Sequence, residues 1–125
     1  MKFAAIRENH LYSKAYARGK KFVGRYVVVY VLPDYAAARL KRANPTGEKL
    51  NRIGITVTKK LGTAVIRNRA KRIIREGYRQ ADQKTPVKRG FLIVIVARSQ
   101  IVRAKSDDIR ADISAAVKNL GMIAG

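Results

Sequence analysis

A chain of 125 residues, 47% of them hydrophobic, has room for one compact domain with a real core. Its 28 Lys and Arg against 8 Asp and Glu give a net charge of +20, far beyond the roughly 2–8 charges that solubility asks of a small domain. Such a body repels itself and attracts polyanions, and the absence of cysteine excludes disulfides and thiolate metal sites.

The chain opens Met1-Lys2-Phe3-Ala4-Ala5-Ile6-Arg7. Its apolar run of four residues is short of the about 7–15 that a signal sequence needs, and no stretch approaches the about 20 that span a bilayer. The expectation is a cytoplasmic protein without a membrane segment. A first helix is expected over Asn9–Arg18, with Asn9 as N-cap and Gly19 as stop. Tyr12 and Tyr16 stand at i and i+4 and share a face. Lys20, Lys21 and Arg25 then lead into a strand, Tyr26–Leu32, rich in β-formers and ended by Pro33. Residues 33–50, with Pro33, Pro45 and Gly47, read as a mobile connection in which Tyr35–Leu40 can form a short helical turn.

The next strand is Ile53–Thr58. Ile53, Ile55 and Val57 fall on one face, and Arg52, Gly54, Thr56 and Thr58 on the other, so one side of the sheet is buried and one open. A long helix follows over Ala64–Gln83. Phe91–Ala97 is apolar without alternation, which marks a central strand covered on both sides. Ser106 opens a last helix with Asp107 and Asp108 in its first turn, where the helix dipole favours acids. Ile109, Ile113, Val117 and Leu120 form its core stripe, and Gly121 ends it. The order α-β-β-α-β-α implies an α/β fold: a single domain over residues 1–125, a two-layer α-β sandwich with helices mainly on one face. The segment from Ile53 to Ala97 reads as a crossover between parallel strands.

The long helix carries the charge. At about 100° per residue, Ile66, Ala70, Ile73, Ile74, Gly77 and Ala81 gather on one side. Arg67, Asn68, Lys71, Arg72, Arg75 and Arg79 gather on the other, with Arg69 at the edge between them. An ordinary solvated face mixes signs to gain i,i+4 pairs. Here only Glu76 interrupts the cations, and pairs such as Lys71/Arg75 repel, so an outside anion is expected to compensate. Arginine's planar fork suits phosphate. Asn68 either donates and accepts toward a ligand or is simply a polar residue of the first turns. Just upstream, Gly62 permits a tight turn and Thr63 is a candidate N-cap. The free N–H groups of the helix start would add to an anion site beside Lys59 and Lys60. The spacing does not match a nucleotide-binding P-loop.

The run Lys59-Lys60-Leu61-Gly62-Thr63-Ala64-Val65-Ile66-Arg67-Asn68-Arg69-Ala70-Lys71-Arg72-Ile73-Ile74-Arg75-Glu76 resembles the signature of the bacterial ribonuclease P protein subunit. Weaker similarity extends over Tyr12-x-x-x-Tyr16-x-x-Gly19, Tyr30 and Val96-Ala97-Arg98. The resemblance implies a left-handed strand–helix–strand crossover, where base rates alone give a right-handed one. It implies a role as accessory subunit of an endoribonuclease that removes the 5′ leader from precursor tRNA. Catalysis would rest with a partner RNA, which would hold the Mg2+, at one protein per RNA. Carried over by residue, Lys59, Lys60, Arg67, Asn68, Arg69, Lys71, Arg72 and Arg75 would contact the catalytic RNA. Tyr12, Tyr16 and Tyr30, with Arg18 and Lys60, would line a leader cleft between the first helix and the sheet. Tyr12 and Tyr16 are commonly Phe in that family, and the 33–50 connection is longer than the family suggests.

The residues also allow plainer readings. Tyr12 and Tyr16 fit a core stripe as well as a stacking platform, and a ribosomal-type structural RNA-binding protein has a similar basic scaffold. An autonomous nuclease fits worst. His10 is the only histidine, and Glu76, Asp107, Asp108 and Asp112 show no clustering of the kind two-metal chemistry requires.

Overall fold

The computed structural model describes residues 3–124; Met1 and Lys2, where a leader-like start was weighed, and Gly125 lie outside the described residues. In chain order the elements are β1 (Phe3–Ala5), α1 (Asn9–Arg18), β2 (Lys20–Val23), β3 (Val27–Pro33), α2 (Ala37–Ala43), β4 (Asn51–Thr56), α3 (Ala64–Lys84), β5 (Phe91–Ala97) and α4 (Ser106–Asn119). The expected helices and strands are present, β1 and β2 are added to them, and the short turn expected over Tyr35–Leu40 is the helix α2, shifted to Ala37–Ala43. β1 has three residues, too few to show a period. β2 begins with two lysines and was read as a charged lead-in. It is an edge strand, where lysines discourage pairing with other chains.

The strands lie in the order β1-β4-β5-β3-β2. β1, β4 and β5 run parallel, and β3 and β2 continue antiparallel. β4, α3 and β5 thus form the expected crossover between neighbouring parallel strands. β5 is central, and Leu92, Ile93, Val94 and Ile95 are all buried, which explains its lack of alternation. β4 starts earlier than the alternation suggested and stops at Thr56, leaving Val57 and Thr58 beyond it. Asn51 holds its start. This fully buried side chain donates to the Lys88 carbonyl at 2.8 Å and the Tyr78 hydroxyl at 3.2 Å, and accepts from the Phe91 N–H at 3.0 Å.

α3 and α4 cover one face of the sheet. Ile73, Ile74, Tyr78, Ile109, Ile113 and Val117 pack there on Val27, Val29, Ile53, Ile93 and Ile95. The helices approach closely at Gly77, where a Cβ would stand 2.7 Å from the Cβ of Ile109. Two placements on the helical wheel change. Ile66 is 39% exposed, one turn before the helix meets the sheet, and Tyr78 takes a core position. Burial pushes its phenol up to about 12. On the opposite face α1 covers only part of the sheet, seating Ala15 among Ile6, Leu32, Leu92 and Val94.

The α1 N-cap is Glu8 rather than Asn9, and no side chain caps the helix. The Glu8 carboxylate instead reaches Arg52 at 2.9 Å. Arg52, expected on an open polar face, is buried and holds Asp34 through two hydrogen bonds of 2.7 and 2.9 Å. Asp34 also accepts from the Ala36 N–H and donates its own N–H to the Gly90 carbonyl. The 33–50 connection is therefore pinned at its start before it enters α2. Among the described residues no helix is long and apolar enough to cross a membrane.

Candidate nucleic-acid interface

The entry to α3 follows from local chemistry. A 3-10 turn, Lys59–Leu61, leaves both lysines exposed. Gly62 follows at φ 148°, a conformation a side chain resists. Thr63 caps α3, its Oγ1 accepting from the Ile66 N–H at 3.4 Å. No acid lies in the first turn of α3, so Lys59 and Lys60 flank the positive end of the helix dipole without compensation.

Beyond this start the outer face of α3 is cationic. Asn68, Arg72 and Arg75 are exposed, and Arg67 and Lys71 are half-buried. None of these cations forms an ion pair among the described residues. The Nε of Arg67 is shielded from solvent without a hydrogen-bond partner. Arg79 is different: it pairs with Glu76, whose carboxyl is driven down to about 2 by hydrogen bonds from Arg79 and Gln80. Arg69 also stands apart. Its guanidinium donates to the Ala104 carbonyl at 2.7 Å, tying α3 to the lead-in of α4. The edge position assigned by the wheel is thus a structural clasp.

Grooves flank α3 on both sides. One, of about 440 Å3, lies between Arg72, Arg75 and Arg79 and the start of α4 at Ser106. The other, of about 230 Å3, runs past the β1 edge, lined by Lys71 and Arg75 on one side and Tyr12 on the other.

Tyr12 leads to the opposite face of the sheet. Successive turns of α1 reach alternate residues of β4: Glu8 to Arg52, Tyr12 to Gly54 and Tyr16 to Thr56. A Cβ at Gly54 would stand 2.6 Å from the Tyr12 ring, so only glycine lets that ring lie on the strand. The Tyr16 and Thr56 hydroxyls are 2.8 Å apart, and Tyr16 meets the Tyr30 ring edge-on at 5.0 Å. Tyr16 remains 41% exposed. The tyrosines are therefore neither a plain core stripe nor loose surface groups; they form a half-open aromatic wall fixed by its neighbours. Beside it, Val28 and Val96 are only partly covered. Arg18 is not brought to this wall. It lies about 200° around α1 from Tyr16 and lines a separate groove with Lys20 and Lys88.

Most of the acids are committed elsewhere. Asp34 holds Arg52, Asp82 holds Arg89 at 2.9 Å, and Asp108 caps α4 by accepting from the Lys105 N–H. Asp112 accepts from the N–H groups of Arg25, Tyr26 and Val27, clamping the turn between β2 and β3. Among the described residues no three His, Asp or Glu side chains converge. The buried partnership of Arg52 and Asp34 escaped the sequence reading. Its one signal was an arginine opening a strand otherwise lined by small groups on that face.

A sequence model of the family described as Ribonuclease P matches residues 1–121. The ribonuclease P protein component of Clostridium acetobutylicum is 37% identical over 123 residues, covering 98% of this chain and 93% of that protein. The component from Alkaliphilus oremlandii is 33% identical over 118 residues, covering 94% and 91%. In structure, the chain is similar to the RNase P protein of Staphylococcus aureus, at a TM-score of 0.73, 26% identity and coverage of 98% and 100%. It is also similar to the RNase P protein of Thermotoga maritima, at a TM-score of 0.70, 25% identity and coverage of 97% and 98%.

Proposed function

Because the chain belongs to the ribonuclease P protein family, we propose that its two surfaces divide the work of that ribonucleoprotein endoribonuclease. As its protein component, the chain is an accessory subunit that acts with an RNA partner in removing the 5′ leader from precursor tRNA. The cationic face of α3, through Arg67, Asn68, Lys71, Arg72 and Arg75 with Lys59 and Lys60, binds the catalytic RNA and neutralises its phosphates. The face of Tyr12, Tyr16 and Tyr30 receives the leader as a single strand, by stacking that tolerates any base. Leaders vary in sequence, and a platform of this kind suits them.

The observation that carries this reading is the arrangement of the two surfaces. They lie on opposite faces of one sheet and meet at its short edge, where Tyr12, Lys71 and Arg75 line one groove. A leader on the tyrosines is thereby held beside RNA bound along α3. Mg2+ is assigned to the partner RNA; of the carboxylates of this chain, Asp34, Asp82 and Asp112 already serve arginines and backbone N–H groups. We take the stoichiometry as one protein per RNA and the site of action as the cytoplasm, where precursor tRNA is processed.

Reconstitution with the partner RNA tests the division of labour. The protein is expected to restore precursor tRNA cleavage at low Mg2+ and to favour precursor over mature tRNA in binding. Cleavage by purified protein without RNA would overturn the assignment of chemistry to the RNA. RNA binding with no effect on cleavage would favour a ribosomal-type structural role instead.

A further inference from the structure

On the flank of α1 away from the tyrosine wall lies a pocket of about 340 Å3 that neither surface above uses. Leu11 and Leu92 line it beside the buried Arg52–Asp34 pair, and the more exposed Lys14, Tyr35, Arg39 and Glu8 complete the lining. Lys14 stands about 200° around α1 from Tyr12 and from Tyr16, so the helix separates this pocket from the wall.

Tyr35 is the unusual member. Its side chain is 80% exposed, the largest exposure among the exposed large hydrophobic residues described. Its backbone, by contrast, is tightly held. Asp34, immediately before it, is buried, paired with Arg52, and bonded through its own N–H to the Gly90 carbonyl. The Asp34 carboxylate accepts from the Ala36 N–H, and its carbonyl accepts from the Ala37 N–H. A free tyrosine ring thus stands on a rigid turn. Lys14 occupies one side of it, its Nζ 4.5 Å from the ring centroid, and leaves the other side open. A rigid aromatic gives up little entropy when a flat group stacks on it, and a cation on the far side keeps the ring oriented.

We propose that this pocket is a second RNA subsite, which takes one unpaired nucleotide with its base on the open face of Tyr35. Lys14 and Arg39 line the pocket, where they meet the flanking phosphates. The free oxygen of Glu8, whose other oxygen holds Arg52, accepts from an exocyclic amine. The ligand chemistry is set by an aromatic platform backed by Lys14, with Arg39 lining the same pocket, on a chain of net charge +20, the combination that single-stranded RNA uses. The nucleotide comes either from the catalytic RNA or from a leader long enough to pass around α1. The inference rests on the RNA-binding role proposed above.

The test uses the reconstituted holoenzyme with Tyr35→Ala, Tyr35→Phe and the double variant Lys14→Ala/Arg39→Ala. Two affinities are measured: protein for the catalytic RNA, and holoenzyme for precursor tRNA with short and long leaders. Tyr35→Ala is expected to weaken one of them about tenfold, the scale of one lost base stack, with Tyr35→Phe close to wild type and the double variant also impaired. A loss in assembly assigns the nucleotide to the catalytic RNA, and a loss confined to long leaders assigns it to the substrate. Unchanged affinities in Tyr35→Ala and the double variant, while Arg72→Ala/Arg75→Ala and Tyr16→Ala behave as described below, would remove this subsite and leave the two-surface reading intact. If those control variants were silent too, the failure would lie with the two-surface reading. Tyr35 is on the surface, so thermal melting of Tyr35→Ala should match wild type.

Discussion

Replacing Arg72 and Arg75 by alanine puts the cationic face of α3 to a quantitative test. Both side chains are exposed, unpaired and line the same groove, so their loss removes charge without opening the core. Each phosphate that a cation neutralises contributes about 0.7–0.9 to the slope of log affinity against log salt. If each arginine engages one phosphate, the double variant should show a slope lower by about 1.4–1.8. Between 50 and 200 mM salt the wild type should then lose roughly tenfold more affinity than the variant. The assay is filter binding or fluorescence titration of the protein with its partner RNA across that range. Arg79→Ala serves as an internal comparison. Arg79 is already paired with Glu76, so its removal should lower the slope less than removal of either unpaired arginine. A large loss of affinity with an unchanged slope would refute the reasoning, because the arginines would then be acting through shape or folding rather than phosphate charge.

Four further outcomes follow from the geometry. Tyr16→Ala, which removes the edge contact with Tyr30 and the bond to Thr56, should weaken binding of leader-bearing precursor by about 1–3 kcal/mol while assembly with the RNA stays near wild type; an equal loss in both would join the two surfaces into one. Gly54→Ala should push the Tyr12 ring off β4 and reproduce the leader defect with little change in melting temperature, since the displaced group is the end of a side chain. Arg52→Ala leaves the buried Asp34 carboxylate unpaired and should cost about 3–5 kcal/mol in urea unfolding. For Asp34 itself, burial raises the carboxyl, but hydrogen bonds from Arg52 and the Ala36 N–H outweigh that and hold it below the usual range. Its contribution is therefore fully present above about pH 4 and lost as pH falls through the depressed value. Wild type should lose stability over that acid window, and Arg52→Ala should lose less.

Much of this protein can be read directly from its residues. The 3.6-residue period of α3 separates its cations from its apolar stripe, and Gly62 and Thr63 mark its start. The unbroken apolar run of β5 identifies the central strand, because a strand covered on both sides has no reason to alternate. These features are local, decided by the period of one element and the chemistry of a few neighbours. The partnerships between distant segments were decided only by the tertiary structure. Arg52 and Asp34 are 18 residues apart and Asp112 and Tyr26 are 86 apart, and nothing in either neighbourhood announces the other. The same holds for Arg69, which the wheel leaves at an edge and the fold turns to the Ala104 carbonyl. It holds again for Lys14 and Tyr35, which meet because α1 crosses the face of the sheet where β3 ends. Charge and period determined that α3 carries a cationic face. Which of its cations are engaged depends on the acceptors within reach: the fold turns Arg69 to the Ala104 carbonyl, while Arg79 pairs with Glu76 on its own helix.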